Sequence, residues 1–127
     1  MTEDETGKQV VDAAVRIHRE LGPGLLETVY EVVLARELRR RGLRVERQFP
    51  VAITYQGLRF DEGFRADLVV GGKVIVELKC VERPGNVHKK QLLTYLRLTD
   101  MKLGYLLNFG EALIKNGITR TVNGLLE

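Results

Sequence analysis

The chain has 127 residues, of which 44% are hydrophobic and 29% are charged, a composition typical of a soluble globular protein. This length predicts a single domain over residues 1–127, and Cys80, the only cysteine, excludes an internal disulfide bond. No apolar run approaches the roughly 20 residues of a membrane-spanning helix, and the acidic N-terminus does not resemble a signal peptide, so we expect a cytoplasmic protein.

Apolar residues at helical spacing predict two helices at the start of the chain, over residues 6–20 and 25–41. Because only Gly22-Pro23-Gly24 separates them, they are expected to form a helical hairpin. Six arginines follow between residues 36 and 47. They either complement the C-terminal dipole of the second helix or form a surface that contacts phosphates, and the net charge of +3 permits both.

From residue 44 onward the apolar pattern has a period of two, which predicts strands. Strands are expected at residues 45–49, 51–55, 58–60, 64–70 and 73–80. A third helix over residues 87–99 and strands over residues 102–108 and 118–122 complete the order. This order predicts an α/β sandwich, in which helices flank a central mixed β-sheet.

The most informative residues are Asp67, Glu77 and Lys79, in the spacing Asp-x9-Glu-x-Lys. Glu77 and Lys79 are two apart in an apolar strand, so their side chains face the same side. Buried charges are costly unless they are paired or bind a metal. Asp67 and Glu77, with the main-chain carbonyl of Leu78, would suit Mg²⁺ or Mn²⁺. Lys79 could orient a water or stabilise the transition state of phosphodiester hydrolysis. The alternative is that Glu77 and Lys79 face solvent on their strand and form a loose ion pair.

This metal hypothesis places a condition on the hairpin that joins the two strands. If Gly71-Gly72 alone formed the turn, Asp67 would pair with Val76 and face away from Glu77. The connection must therefore hold an odd number of residues, such as Gly71-Gly72-Lys73, or a bulge must shift the register.

Three further patterns accompany these residues: Gly24-x-x-Glu27-x-x-Tyr30, Phe64-Arg65-Ala66-Asp67 and Gln91-x-x-x-Tyr95. With Glu77-Leu78-Lys79, the ordered set resembles the small bacterial and archaeal G-x-x-E-x-x-Y family of the PD-(D/E)XK nuclease-like superfamily, over about residues 10–122. Ala66 stands where the superfamily name has proline. The resemblance implies a restriction-endonuclease-like fold.

The resemblance also implies roles for single residues. Asp67, Glu77 and Lys79 would form the catalytic core, and Glu27 would match the helix-borne acid that completes the metal site. With Gly24 as N-cap, Glu27 would alternatively stabilise the start of its helix as the third helical residue. Tyr30, one turn further on, would either line the substrate site or pack in the core.

Gln91 and Tyr95 match a helix motif that lies near the active site in RecB-like nucleases. They share a helix face with His88, so we expect all three to line a substrate groove, together with the adjacent Lys89 and Lys90. His88 would contact phosphate or protonate the leaving oxygen, and a surface or capping role is its alternative.

These residues predict a Mg²⁺- or Mn²⁺-dependent nuclease that hydrolyses phosphodiester bonds of nucleic acid, with DNA as the expected substrate. One alternative is a module of the same fold that binds nucleic acid or protein without turnover. Another is an assembly protein in which Asp67, Glu77 and Lys79 form a buried ion network. A chain of this length leaves little room for DNA recognition, and a homodimer could provide the missing surface.

Overall fold

A computed structural model describes residues 1–126. Its helices are α1 (Glu3–Leu21), α2 (Glu27–Arg40) and α3 (Asn86–Thr99), with a short 3-10 helix at Ile114–Gly117. Its strands are β1 (Val45–Tyr55), β2 (Leu58–Val70), β3 (Val74–Lys79), β4 (Leu103–Asn108) and β5 (Ile118–Val122). Within the described residues, no helix is both long enough and apolar enough to cross a membrane.

The strands form one sheet in the order β1-β2-β3-β4-β5. Only β3 and β4 pair in parallel among the described strands, and α3 connects them, whereas the other neighbours are antiparallel. The hairpin of α1 and α2 covers one face of the sheet, and α3 covers the other. The predicted α/β sandwich with a mixed sheet and an N-terminal helical hairpin is confirmed, and it is consistent with a restriction-endonuclease-like fold.

Strand β3 supplies both layers of the core. Val74, Val76 and Leu78 pack under α1 and α2, whereas Ile75 packs under α3. A central strand covered on both faces has an almost continuous apolar sequence, as β3 does. Glu77 is the buried exception, at 8% exposure, and it lies on the α3 side of the sheet.

The helices begin at other residues than the periodicity predicts. Helix α1 starts at Glu3, because Thr2 and Glu5 form a capping box in which each side chain accepts a hydrogen bond from the other's backbone N–H. Helix α2 starts at Glu27 with Leu26 as its N-cap, since the left-handed backbone of Gly24 keeps the loop non-helical. The expectation of Gly24 as N-cap was wrong, and Glu27 is the first residue of the helix.

Strands β1 and β2 are longer than predicted, because each joins two of the expected short strands. Pro50 lies within β1 and pairs with Arg65 of β2. A proline is tolerated there because β1 is an edge strand, with neighbours on one side only. The two strands therefore form one long hairpin, of which only the final residues of β2 also pair with β3.

The connection between β2 and β3 meets the condition set by the metal hypothesis. Val70 pairs with Val74, so the connection consists of Gly71-Gly72-Lys73, and both glycines have positive φ. Leu68 then pairs with Val76, which brings Asp67 opposite Glu77 at the next step. The prediction of an odd residue count is confirmed.

Tyr30 lies in the core and does not line a substrate site. Its side chain is fully buried and stacks on Phe109, with ring centroids 4.5 Å apart. Its hydroxyl donates a hydrogen bond to the carbonyl of Gly22 and accepts one from the N–H of Leu25, at 3.2 Å. The predicted substrate-binding role of Tyr30 is wrong, because this residue anchors the loop between α1 and α2.

We therefore expect a Tyr30→Phe substitution to destabilise the protein by about 1–2 kcal/mol, because two loop hydrogen bonds lose their partner while the buried ring is retained. Urea unfolding monitored by circular dichroism would measure the change. Tyr55→Phe is the matched control, since that side chain is 66% exposed. Equal stability of the two variants would contradict the anchoring role of the hydroxyl.

Candidate active site

The carboxyl groups of Asp67 and Glu77 lie side by side where β2 and β3 diverge. The Asp67 N–H donates to Glu77 Oε2 at 3.2 Å, and Asp67 Oδ2 accepts a hydrogen bond from the Leu78 N–H at 2.9 Å. The backbone pairing of β2 with β3 ends at Leu68 and Val76. Beyond it, the Asp67 and Glu77 side chains accept the hydrogen bonds that backbone carbonyl groups accept elsewhere in the sheet. Their positions are fixed by the two strands and not by flexible loops.

The environment of this pair favours a cation. Burial raises the pKa of Glu77 to about 9, and the hydrogen bond and the charge of Asp67 add to the effect, against the opposing charge of Lys79. Two carboxyl groups in contact do not both ionise at neutral pH unless a positive charge joins them. A divalent cation would supply that charge in place of a proton, so these donors fit a hard metal ion.

A cavity of about 120 Å³ opens above the carboxyl pair, between the sheet and α3. It brings together six of the predicted residues and three that were not predicted. The lining residues are Arg65, Asp67, Glu77, Lys79, His88, Gln91, Leu92, Tyr95 and Leu106.

Helix α3 contributes His88, Gln91 and Tyr95 to this cavity, as their spacing predicts. The ring of Tyr95 stacks on Phe64 of β2 at 3.9 Å, and burial, with the charges of Glu77 and Asp67, raises the pKa of its hydroxyl. His88 Nδ1 is buried and has no hydrogen-bond partner within residues 1–126. A buried donor or acceptor of this kind is available to a bound group.

Lys89 and Lys90 follow His88 on α3 but do not line the cavity. Each helical residue is rotated about 100° from the one before it, so these two lysines lie off the face that carries His88 and Gln91. Both are exposed. Neither lysine lines the cavity, and their contact with a substrate stays a prediction.

Glu27 lies close enough to Asp67 and Lys79 for their charges to alter its pKa, but it does not form a group of three metal-binding side chains with Asp67 and Glu77. Partial burial raises its pKa, the charge of Asp67 raises it further, and the charge of Lys79 lowers it. Nevertheless, no three Asp, Glu, His or Cys side chains in the described part of the chain are grouped so that they could hold a metal ion. The structure therefore brings Asp67 and Glu77 together and leaves Glu27 beside them.

Two supporting residues were missed by the sequence analysis. Arg65 lines the cavity from β2, two residues before Asp67, and it forms an ion pair with Glu62. The same two-residue spacing that groups Glu77 with Lys79 could have indicated it. Glu31 is 5% exposed, one turn after Glu27, and binds Arg47 and Gln48 of β1. A pairing between residues so distant in sequence has no local signal.

Asn108 is a third missed residue, and it holds the segment that leaves β3. Its fully buried side chain accepts hydrogen bonds from the N–H groups of Val81 and Gly110, at 3.1 and 3.0 Å, and donates to the Val81 carbonyl at 2.7 Å. The Phe109 N–H donates to the Lys79 carbonyl at 2.8 Å. The backbone at the end of β3 is therefore held by hydrogen bonds to the end of β4 and the residues that follow it.

A mixed sheet between helices, with two carboxyl groups and a lysine beside a helix, is a nuclease-like α/β arrangement. Comparison with protein families agrees: the family model of the PD-(D/E)XK nuclease superfamily matches residues 4–121, and the chain belongs to that superfamily. No curated protein and no solved structure matches the chain. The superfamily indicates a nuclease-type function on nucleic acid, generally with divalent metal ions.

The raised pKa of Glu77 makes the stability of the metal-free protein dependent on pH. Below about pH 4.5 the Glu77 carboxyl is protonated in both the folded and the unfolded protein. Between pH 4.5 and about pH 9, only the unfolded chain releases this proton. Stability therefore falls as pH rises through this range. A Glu77→Gln variant has no carboxyl to ionise at this position. Its free energy of unfolding relative to the wild type should therefore rise by about a few kcal/mol between pH 5 and pH 8.

Urea unfolding in EDTA at both pH values measures the gain, with Glu82→Gln at an exposed position as the control. Parallel pH profiles of wild type and Glu77→Gln would show that burial of the Glu77 carboxyl does not alter its ionisation.

Proposed function

We propose that the protein is a nuclease that uses Mg²⁺ or Mn²⁺ to hydrolyse phosphodiester bonds, with DNA as the expected substrate. The observation that carries this proposal is the contact between the carboxyl groups of Asp67 and Glu77, beside Lys79 and under α3. Within the superfamily, the Gly24, Glu27 and Tyr30 pattern supports the narrower proposal of membership in the G-x-x-E-x-x-Y family.

Asp67 and Glu77 would hold the metal ion, with the main-chain carbonyl of Leu78 as a further oxygen ligand. When bound, the ion polarises the phosphoryl oxygen and lowers the pKa of a coordinated water. Glu27 lies near the pair: its pKa is raised by burial and then by the charge of Asp67, and a cation at the pair would favour its ionised form. Its role is to strengthen the attraction for a divalent cation.

Lys79 supplies the positive charge that the reaction needs on the protein side. It lies two residues after Glu77 on the same strand and lines the same cavity. An ammonium group there neutralises charge that develops on the phosphorus oxygens in the transition state, and it can orient the attacking water. The hydrogen bonds between Asn108 and Val81 hold the backbone just after Lys79 in place.

The substrate would pass along the α3 side of the cavity. Gln91 offers amide donors, His88 offers an unpartnered ring nitrogen and Arg65 offers a guanidinium group. These groups contact phosphate and sugar oxygens, which position a strand without reading its sequence. Binding should therefore weaken as salt concentration rises.

A nucleic-acid-binding module without turnover is the second candidate. One observation favours it: the described residues contain no compact set of three metal-binding side chains. In that case Arg65, His88 and Gln91 would still contact the backbone of a nucleic acid, but Glu77, whose pKa is raised to about 9, would hold a proton and no metal ion would bind.

The decisive experiment compares wild type with Lys79→Ala and Asp67→Asn on single-stranded, double-stranded and branched DNA and on RNA, with Mg²⁺, Mn²⁺ or EDTA. We expect cleavage that requires a divalent ion and falls about 10²–10³-fold in both variants. Lys102→Ala is the control, since that lysine pairs with Asp100 away from the cavity. Cleavage unaffected by Lys79→Ala would contradict the proposal, and salt-sensitive binding without cleavage would favour the module.

A further inference from the structure

Glu31 is at the centre of a buried network that joins α2 to β1. Its Oε2 accepts hydrogen bonds from Arg47 Nε and Nη2 at 3.1 and 2.8 Å, and its Oε1 accepts one from Gln48 Nε2 at 2.8 Å. Both carboxylate oxygens are therefore used. The side chain of Glu31 is 5% exposed, and the charge of Arg47, whose two nitrogens converge on one of its oxygens, compensates for this burial.

Gln48 has an unusual backbone at the position opposite Asp67. The pairs Arg47 with Leu68 and Phe49 with Ala66 flank this position, so Gln48 and Asp67 lie across from each other on β1 and β2. Gln48 has a φ of 51° in the middle of a strand. Left-handed backbone at a residue other than glycine persists only where surrounding contacts hold it.

The other positive-φ residues in the described chain, glycines excepted, have ordinary explanations. Gln56 lies in the turn between β1 and β2, and Asp100 is the C-cap of α3. Gln48 has no such local reason. The hydrogen bond from its side chain to Glu31 is the contact that accounts for its conformation.

We propose that Glu31 is a positioning residue, which uses Arg47 and Gln48 to hold the first turn of α2 against the strand segment opposite Asp67. Glu27 lies one turn before Glu31 on the same helix face, so the network sets the distance between Glu27 and the Asp67–Glu77 pair. This inference rests on the proposed function insofar as that distance matters for catalysis. Glu31 itself does not line the cavity above the carboxyl pair.

The test uses two variants that weaken the network differently and one matched control. Glu31→Gln removes the charge and keeps the shape. Gln48→Asn keeps the charge of Glu31 and a side chain that tolerates left-handed backbone, but it is too short to maintain the same contact. Glu37→Gln is the control, because Glu37 also lies on α2 and pairs with an arginine, Arg41, at 3.1 Å.

The first readout is independent of turnover: the carboxyl ¹³C resonances of Glu27 and Asp67 by NMR. The Asp67 resonance should shift in Glu31→Gln and in Gln48→Asn, and the Glu27 resonance at least in Glu31→Gln, while the control leaves both in place. The second readout is cleavage, for which kcat should fall about tenfold or more while KM stays within about twofold, because geometry at the reacting centre changes and substrate contacts do not.

Unshifted Asp67 resonances in both network variants would overturn the inference, whether or not the wild type cleaves nucleic acid. A shift in Glu31→Gln alone would also overturn it, because the charge of Glu31 and not its contact with Gln48 would then be responsible. If the wild type cleaves and both variants retain its kcat, the positioning role is excluded. If the wild type does not cleave, the proposed nuclease function fails, and the resonances still decide whether the network places the carboxyl groups.

Discussion

The contact between the carboxyl groups of Asp67 and Glu77 is the constraint on which the site depends. It exists because the connection of β2 to β3 contains three residues, Gly71-Gly72-Lys73, which places both acids on one face of the sheet. A two-residue turn would have turned one of them away. Once they share a face, burial raises the pKa of Glu77, so that its carboxyl group keeps a proton at neutral pH unless a cation binds beside it. The geometry of a small glycine turn thus determines the chemistry available four residues away on each strand.

The two helical layers of the sandwich contribute different parts of the site. Helices α1 and α2 bury one face of the sheet and carry Glu27 to the edge of the site, while α3 covers the carboxyl pair and lines the cavity. Both faces of β3 are covered, so Glu77 is desolvated without being sealed off from solvent. That combination of partial access and strong desolvation is what a metal-dependent hydrolytic site needs.

Local periodicity was sufficient to predict the class of fold, the faces of β3 and the helix face of His88, Gln91 and Tyr95. The hypothesis that Asp67 and Glu77 share a metal ion was sufficient to predict a connection with an odd number of residues, which the structure has. Details set by long-range contacts were not predictable in this way: the buried hydroxyl of Tyr30 and the network of Glu31 depend on partners that only the folded chain brings near. Helix starts were missed where a side chain or a left-handed glycine, and not hydrophobic spacing, determines the first turn.

The most direct test of the central claim is a crystal of the protein soaked with Mn²⁺ and measured at a wavelength where manganese scatters anomalously. A peak bound by one carboxylate oxygen from Asp67 and one from Glu77, and absent from Asp67→Asn crystals, is the expected result. Fully soaked crystals in which the two carboxyl groups remain hydrogen-bonded to each other, with no manganese between them, would contradict it.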